Sequence, residues 1–196
     1  MSEDKLSKSE KLFLLVLARN TISARLENRS LPEPTKEERT KAGIKIEEPR
    51  GCFVTLHKKG ELRGCIGTFF SDAPLWQNVR EMAVQSAFYD PRFPPLAKSE
   101  LEDIDIEISA LSPLREIKSI DEIKVGKHGI YITRGHNRGV LLPQVATENG
   151  WDLETFLEHT CLKAGLNPKA WKEPGVTIEI FSAEVFGEKD ISERCL

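Results

Sequence analysis

Cysteine is scarce in this chain and carries no pattern. The four thiols Cys52, Cys65, Cys161 and Cys195 are spread over 196 residues. None has C-x-x-C spacing, which argues against a disulfide framework or a zinc ribbon. Histidine is equally sparse: His57, His128, His136 and His159 form no H-E-x-x-H and no pair at i, i+4. No metal and no cofactor is therefore expected from local motifs. Long apolar runs are missing too. The longest, Leu12 to Ala18, is far short of the ~20 residues that span a bilayer. The polar, mixed-charge start MSEDKLSKSEK is no signal peptide, so a cytoplasmic setting is expected. An excess of one charge is also lacking: 28 Lys+Arg against 31 Asp+Glu leave −3. That balance disfavours nucleic-acid scaffolding.

What is present is a hydrophobic fraction of 39% and a charged fraction of 30%, enough for a globular domain of mixed α and β structure. Ser7 and Glu10 have capping-box spacing, and Leu12, Leu15, Arg19, Ile22 and Leu26 follow a helical stripe, so a helix is predicted over about Ser7–Asn28. Prolines and charge then predict a surface connection over Ser30–Arg50, with a short helix from Thr35 to Ala42. Gly51–Phe70 reads as a hairpin turning at KKGE. A helix capped by Asp72, with Pro74 in its first turn, should run to about Phe88. DPRFPP must be irregular, and DIDIEISAL alternates as a half-buried strand.

The second half repeats this order. A hairpin is predicted from Gly129–Arg134 and Gly139–Val145, a helix from Asp152 to the stop at Gly165, and a single last strand over VTIEIFSAEVF. A shift of 78 lays Gly51–Thr55 on Gly129–Thr133. A shift of 77 lays Asp90-Pro91-Arg92 on Asn167-Pro168-Lys169, and one of 72 lays Ile106-Glu107-Ile108 on Ile178-Glu179-Ile180. The expectation is an α+β fold of two β-β-α-β units from an internal duplication, with largely antiparallel sheet, helices packed on it and an added N-terminal helix. The repeat halves would cover about 51–112 and 126–186, with LRGCIG and LLPQVA in equivalent strand positions. Residues 189–196 read as a tail, which makes Cys195 a poor site candidate.

Chemistry points first to LRGCIG. Two glycines inside a strand mark a bulge or a close approach, and between them Cys65 follows Arg63, whose guanidinium is suited to favouring the thiolate. The alternative is a small buried thiol beside glycines that make room for a helix. A nucleophilic Cys65 needs a base, and His128, in a glycine-flanked loop, is the candidate. Backbone amides around Gly64–Ile66 would form the oxyanion site. Arg92, on a proline-stiffened loop, suits a carboxylate or phosphate, or tethers the loop through Asp90. Gln144 offers a donor and an acceptor at a strand end. The glycines of GKHGIYITRGHNRG lack the order of a Walker loop or a G-x-G-x-x-G turn.

The combination LRGCIGTF, DPRFPP, IEISALSP, VGKHGIYI, GVLLPQVA, WDLETFLEHTCLKAGL and the AW at Trp171 resembles the AMMECR domain family from about Ser9 to Glu188. The resemblance implies an α+β fold of two unequal parts with a cleft. Its signature positions are Arg63, Gly64, Cys65, Ile66 and Gly67, followed by Asp90, Pro91 and Arg92. It also implies a Memo-type protein and a radical-SAM-type protein as partners, since prokaryotic members of the family are often encoded beside or fused to them. Three functions compete. The first is a binding or accessory component for those partners or for a small anionic ligand. The second is a thiol-dependent enzyme built on Cys65 and His128 in an arginine-lined cleft. The third, nucleic-acid association, is ranked last. Ligand contacts would fall to Arg63, Gly64, Ile66, Gly67, Asp90, Arg92 and Gln144.

Overall fold

The computed structural model describes residues 5–69 and 71–192; Cys195 and the end of the expected tail lie outside them. The chain forms two compact units. One runs to Leu111 and resumes at Glu184, and the other is Ser112–Ala183.

The first unit begins with α1 (Lys8–Leu26), closed by the expected capping box: the Ser7 hydroxyl accepts the Glu10 amide and the Glu10 carboxylate accepts the Ser7 amide. Its inner face of Leu14, Leu15, Ala18 and Ile22 enters the core. The short α2 (Lys36–Ala42) carries a second capping box, Thr35 with Glu38. The predicted hairpin is β1 (Cys52–Lys58) and β2 (Glu61–Thr68), followed by α3 (Leu75–Phe88) and β3 (Ile104–Leu111). Val54, Leu56, Ile104, Ile106 and Ile108 fill the core with α1 and α3, while the alternating Thr55, Asp105 and Glu107 stay half-buried, as a pleated strand requires. Asp72 does not cap α3. Pro74 holds that position without a side-chain cap, and the preceding turn is organised by Ser71, whose hydroxyl accepts the Ala73 amide and bonds Asn78.

The second unit holds β4 (Arg115–Glu116), β5 (Gly129–Arg134), β6 (Asn137–Leu141), α4 (Pro143–Glu148), α5 (Leu153–Lys163) and β7 (Thr177–Phe181). Its separate core includes Ile130, Ile132, Phe156, Leu157 and Ile180. The predicted strand through Val145 stops at Leu141. Pro143 opens α4 instead, because its ring fixes a helical φ and its missing amide hydrogen costs nothing in a first turn. The predicted last strand is also two: the chain breaks at Ser182, and β8 (Ala183–Gly187) leads into α6 (Glu188–Ser192). Ser112 and Ser182 are cross-bonded there, amide to carbonyl at 2.8 Å and amide to hydroxyl at 3.0 Å, so the two ends of the second unit meet.

The sheet orders are β2-β1-β3-β8 and β4-β7-β5-β6, with antiparallel registers. The molecule is thus the mixed α+β, antiparallel fold that the alternation predicted. The strand after β3 joins β7, and the strand after β7 joins β3. Among the described residues no helix is long and apolar enough to cross a membrane.

Candidate functional site

Cys65 sits on β2, an edge strand, directly opposite Thr55 of β1. The Thr55 hydroxyl donates to its Sγ over 3.3 Å. Thr55 in turn stands opposite Glu107 of β3, so Cys65, Thr55 and Glu107 form one row on the half-buried face of the sheet.

The main chain of Cys65 is gripped from the open side of the strand. Its amide donates to Asp90 Oδ2 at 2.9 Å, and its carbonyl accepts Arg92 Nη2 at 3.0 Å. Asp90 binds Arg92 through the Arg92 amide, Nε and Nη2. The Asp90 side chain is 1% exposed and that of Arg92 54%. Arg92 holds the Asp90 carboxyl well below the usual carboxylate range, opposed by burial. Asp90 chiefly, and the Cys65 sulfur in a lesser degree, raise Arg92 in return. The edge strand is covered at this point by a side-chain pair standing where a neighbouring strand would bond.

The other side of β2 is shaped by α3. The Ile66 amide donates to Ser86 Oγ at 2.8 Å, and that hydroxyl donates to the Val54 carbonyl at 2.7 Å. A helix hydroxyl is thus inserted into the β1–β2 ladder, and α3 runs so close that a methyl on Gly64 would overlap the Ser86 carbonyl oxygen. Gly67 is covered by the Phe53 ring, which meets Phe69 edge-on at 4.9 Å. The glycines of LRGCIG therefore serve close approach, the helix at one and an aromatic ring at the other.

Several sequence expectations change here. Arg63 is buried and committed to Glu100 through Nε and Nη2 at 3.1 and 2.9 Å; its partnership, with Lys58 adding to it, holds Glu100 well below the usual carboxylate range. The guanidinium that reaches Cys65 belongs to Arg92, 27 residues further on. Of the amides expected as an oxyanion site, those of Cys65 and Ile66 donate to Asp90 and Ser86. His128 lies in the second unit, half-buried, with Nδ1 accepting the Lys124 amide at 3.2 Å. Burial, then Lys127, pushes its pKa down. Gln144 is exposed in the first turn of α4 rather than at a strand end. His57 pairs with Leu62 beside a bulge that leaves Arg63 of β2 unpaired, His136 is exposed, and His159 stacks on Trp151 at 4.0 Å. The structure thus brings together Cys65, Ile66, Asp90 and Arg92, and adds Thr55, Ser86 and Glu107, which the sequence reading passed over. Among the described residues no cluster of His, Cys, Asp and Glu could hold a metal ion.

The chain has close relatives. A protein of Nanoarchaeum equitans, NEQ441, is 39% identical over 184 residues, covering 89% of this chain and 98% of its own. A Methanothermobacter thermautotrophicus protein is 43% identical over 192 residues, covering 93% and 96%. The crystal structure of an uncharacterised Pyrococcus horikoshii protein, PH0010, aligns over 94% of both chains with a TM-score of 0.75 and 37% identity. The family model described as AMMECR1 matches residues 15–186, and with these relatives it shows that the chain belongs to the AMMECR1 family.

Proposed function

We propose that this protein is a cytoplasmic, non-catalytic binding component that acts with Memo-type and radical-SAM-type proteins through the face around Cys65. The observation that carries this reading is the double grip on the Cys65 main chain by Asp90 and Arg92, which fixes where the half-buried thiol is presented. A positioned thiol whose own amide and the next are spent on Asp90 and Ser86 suits presentation better than acyl transfer, which needs oxyanion donors and a base. Capture of purified Memo-type and radical-SAM-type proteins by immobilised wild type tests it. Recovery should fall at least about tenfold with Arg92→Ala and with Cys65→Ser, and equal recovery by all three proteins would end the reading.

An internal duplication belongs to the same proposal, and the registers support it. Leu56 lies between Gly64 and Ile106, and Ile132 between Gly139 and Ile178. One position along, Thr55 lies between Cys65 and Glu107, and Tyr131 between Val140 and Glu179. Arg63-Gly64-Cys65-Ile66 thereby matches Arg138-Gly139-Val140-Leu141, not LLPQVA. A methyl on Gly139 would overlap the Thr160 carbonyl of α5, as one on Gly64 would the Ser86 carbonyl of α3. The two loops match as well. Asp90 accepts the Arg92 amide on its side chain and the Phe93 amide on its carbonyl; Asn167 does the same for the amides of Lys169 and Ala170.

A further inference from the structure

If the two units are copies, the second is a control for the first. It builds the same three-strand row, the same glycine contact beneath a helix and the same side-chain-to-backbone turn. It does so with Val140 where the first has Cys65, Asn167 where it has Asp90, and Lys169 where it has Arg92. The Lys169 ammonium is spent on Glu154 and Glu158 of α5. The turn needs only a side-chain oxygen, which Asn supplies as well as Asp. A carboxylate that is 1% exposed and a guanidinium on the strand backbone are therefore not what the fold requires. Asp90 is paired and hydrogen-bonded, yet a buried ion pair adds little stability over a neutral replacement, so stability alone does not account for it.

We infer that Cys65, Asp90 and Arg92 form a site for an anionic ligand delivered to the Cys65 thiol, with Asp90 and Arg92 as its positioning residues. The inference rests on the reading of the Cys65 face as a binding face and names what that face takes. Three features of Arg92 carry the ligand's charge. Its side chain is 54% exposed, and its bonds to Asp90 and Cys65 use Nε and Nη2 but not Nη1. It also holds the carbonyl of Cys65, the residue whose Sγ accepts the Thr55 hydroxyl. Asp90 fixes the guanidinium and, through the Cys65 amide, the strand that carries the sulfur.

The test compares Cys65 with two reagents in a Cys195→Ser background, so that the thiol outside the described residues does not report. A dianionic aromatic disulfide reacts by thiolate attack, forming a mixed disulfide and releasing an aryl thiolate. Iodoacetamide is neutral, alkylates the same sulfur and releases iodide. Each reaction transfers the thiol proton to solvent, and the ratio of their rates reads the charge beside the sulfur. Arg92→Gln should lower the ratio of anionic to neutral rate about fivefold at low salt, and added salt should narrow that gap. Arg92→Lys should restore most of the ratio. Asp90→Asn keeps an acceptor for the Cys65 amide and leaves Arg92 uncompensated, so it should raise the ratio. A purely structural role would move both rates together. Both Arg92→Lys and Asp90→Asn should keep a cooperative urea transition, since the second unit uses those residues. An unchanged ratio in Arg92→Gln and Asp90→Asn, or loss of folding in Asp90→Asn and Arg92→Lys, overturns the inference. The ratio is measured without partner proteins, so failed capture alone would remove the partner reading and leave this site standing.

Discussion

Arg63 and Arg92 flank the same thiol in opposite conditions. One is buried against Glu100 and the other is half exposed on Asp90. Sequence adjacency pointed to Arg63, but a bulge in the hairpin and the loop after α3 decide which guanidinium meets Cys65. Replacing Arg63 with Ala strands Glu100 with Lys58 as its remaining cationic partner, and should cost about 1–3 kcal/mol in urea unfolding. Asp90 and Glu100 both have folded carboxyls below the usual range, each because of its arginine. Their contribution is therefore complete above about pH 4 and is lost as pH falls through the depressed values. Urea midpoints measured across that range should fall below about pH 4, and less steeply for Glu100→Gln. The thiols separate in the same way. Burial pushes Cys52 and Cys161 up, whereas Cys65 is half-buried. In the Cys195→Ser protein one thiol should react in the native state and three after denaturation; a slow Cys65 would contradict its placement.

At the level of elements, capping and periodicity were readable because they are local. The S-x-x-E box of α1 and the Asp152 cap of α5 appear where the residues put them, and the short helix expected from Thr35 is α2. The start of α3 and the end of β6 were misread, since Pro74 and Pro143 each act through their rings at a helix entrance rather than through a neighbouring acid or the strand pattern. Gly64 shows how a packing demand enters an element. The α3 backbone passes over it at Ser86, so Gly64→Ala must push the helix or the strand aside and should cost about 3 kcal/mol or more. Gly139→Ala, facing Thr160, should cost a similar amount in the second unit. Denaturant unfolding checks both, and a near-neutral Gly64→Ala would mean that α3 is free to shift.

For the whole molecule, the telling feature is that the first unit is completed by the end of the chain. β8 joins β3, and Glu188 ties it down by accepting Arg19 Nε and Nη2 at 2.5 and 2.6 Å and the Ile106 amide at 2.8 Å. Glu184 likewise accepts the Leu6 amide at 2.8 Å. Glu188→Gln should lower stability by about 1–3 kcal/mol. It should also speed hydrogen exchange in β8 and β3 while leaving β5 and β7 unchanged. Uniform acceleration across both units would show that they do not open independently.

What this sequence determined by itself was what short-range geometry controls: most helices and strands, the capping side chains that start α1 and α5, and which strand face is apolar. The site was only half legible. LRGCIG and DPRFPP stood out by composition, but Thr55, Ser86 and Glu107 look ordinary along the chain. Cross-strand register sets Thr55 beside Cys65 and Glu107, and the approach of α3 sets Ser86 between two strands. Tertiary structure alone decided that Arg92 rather than Arg63 binds the Cys65 main chain, and that one apparent strand is shared between two sheets. Each of these depends on contacts between residues far apart in sequence, whose pairing follows from packing and from the need to satisfy buried backbone groups, and neither constraint is written in local periodicity.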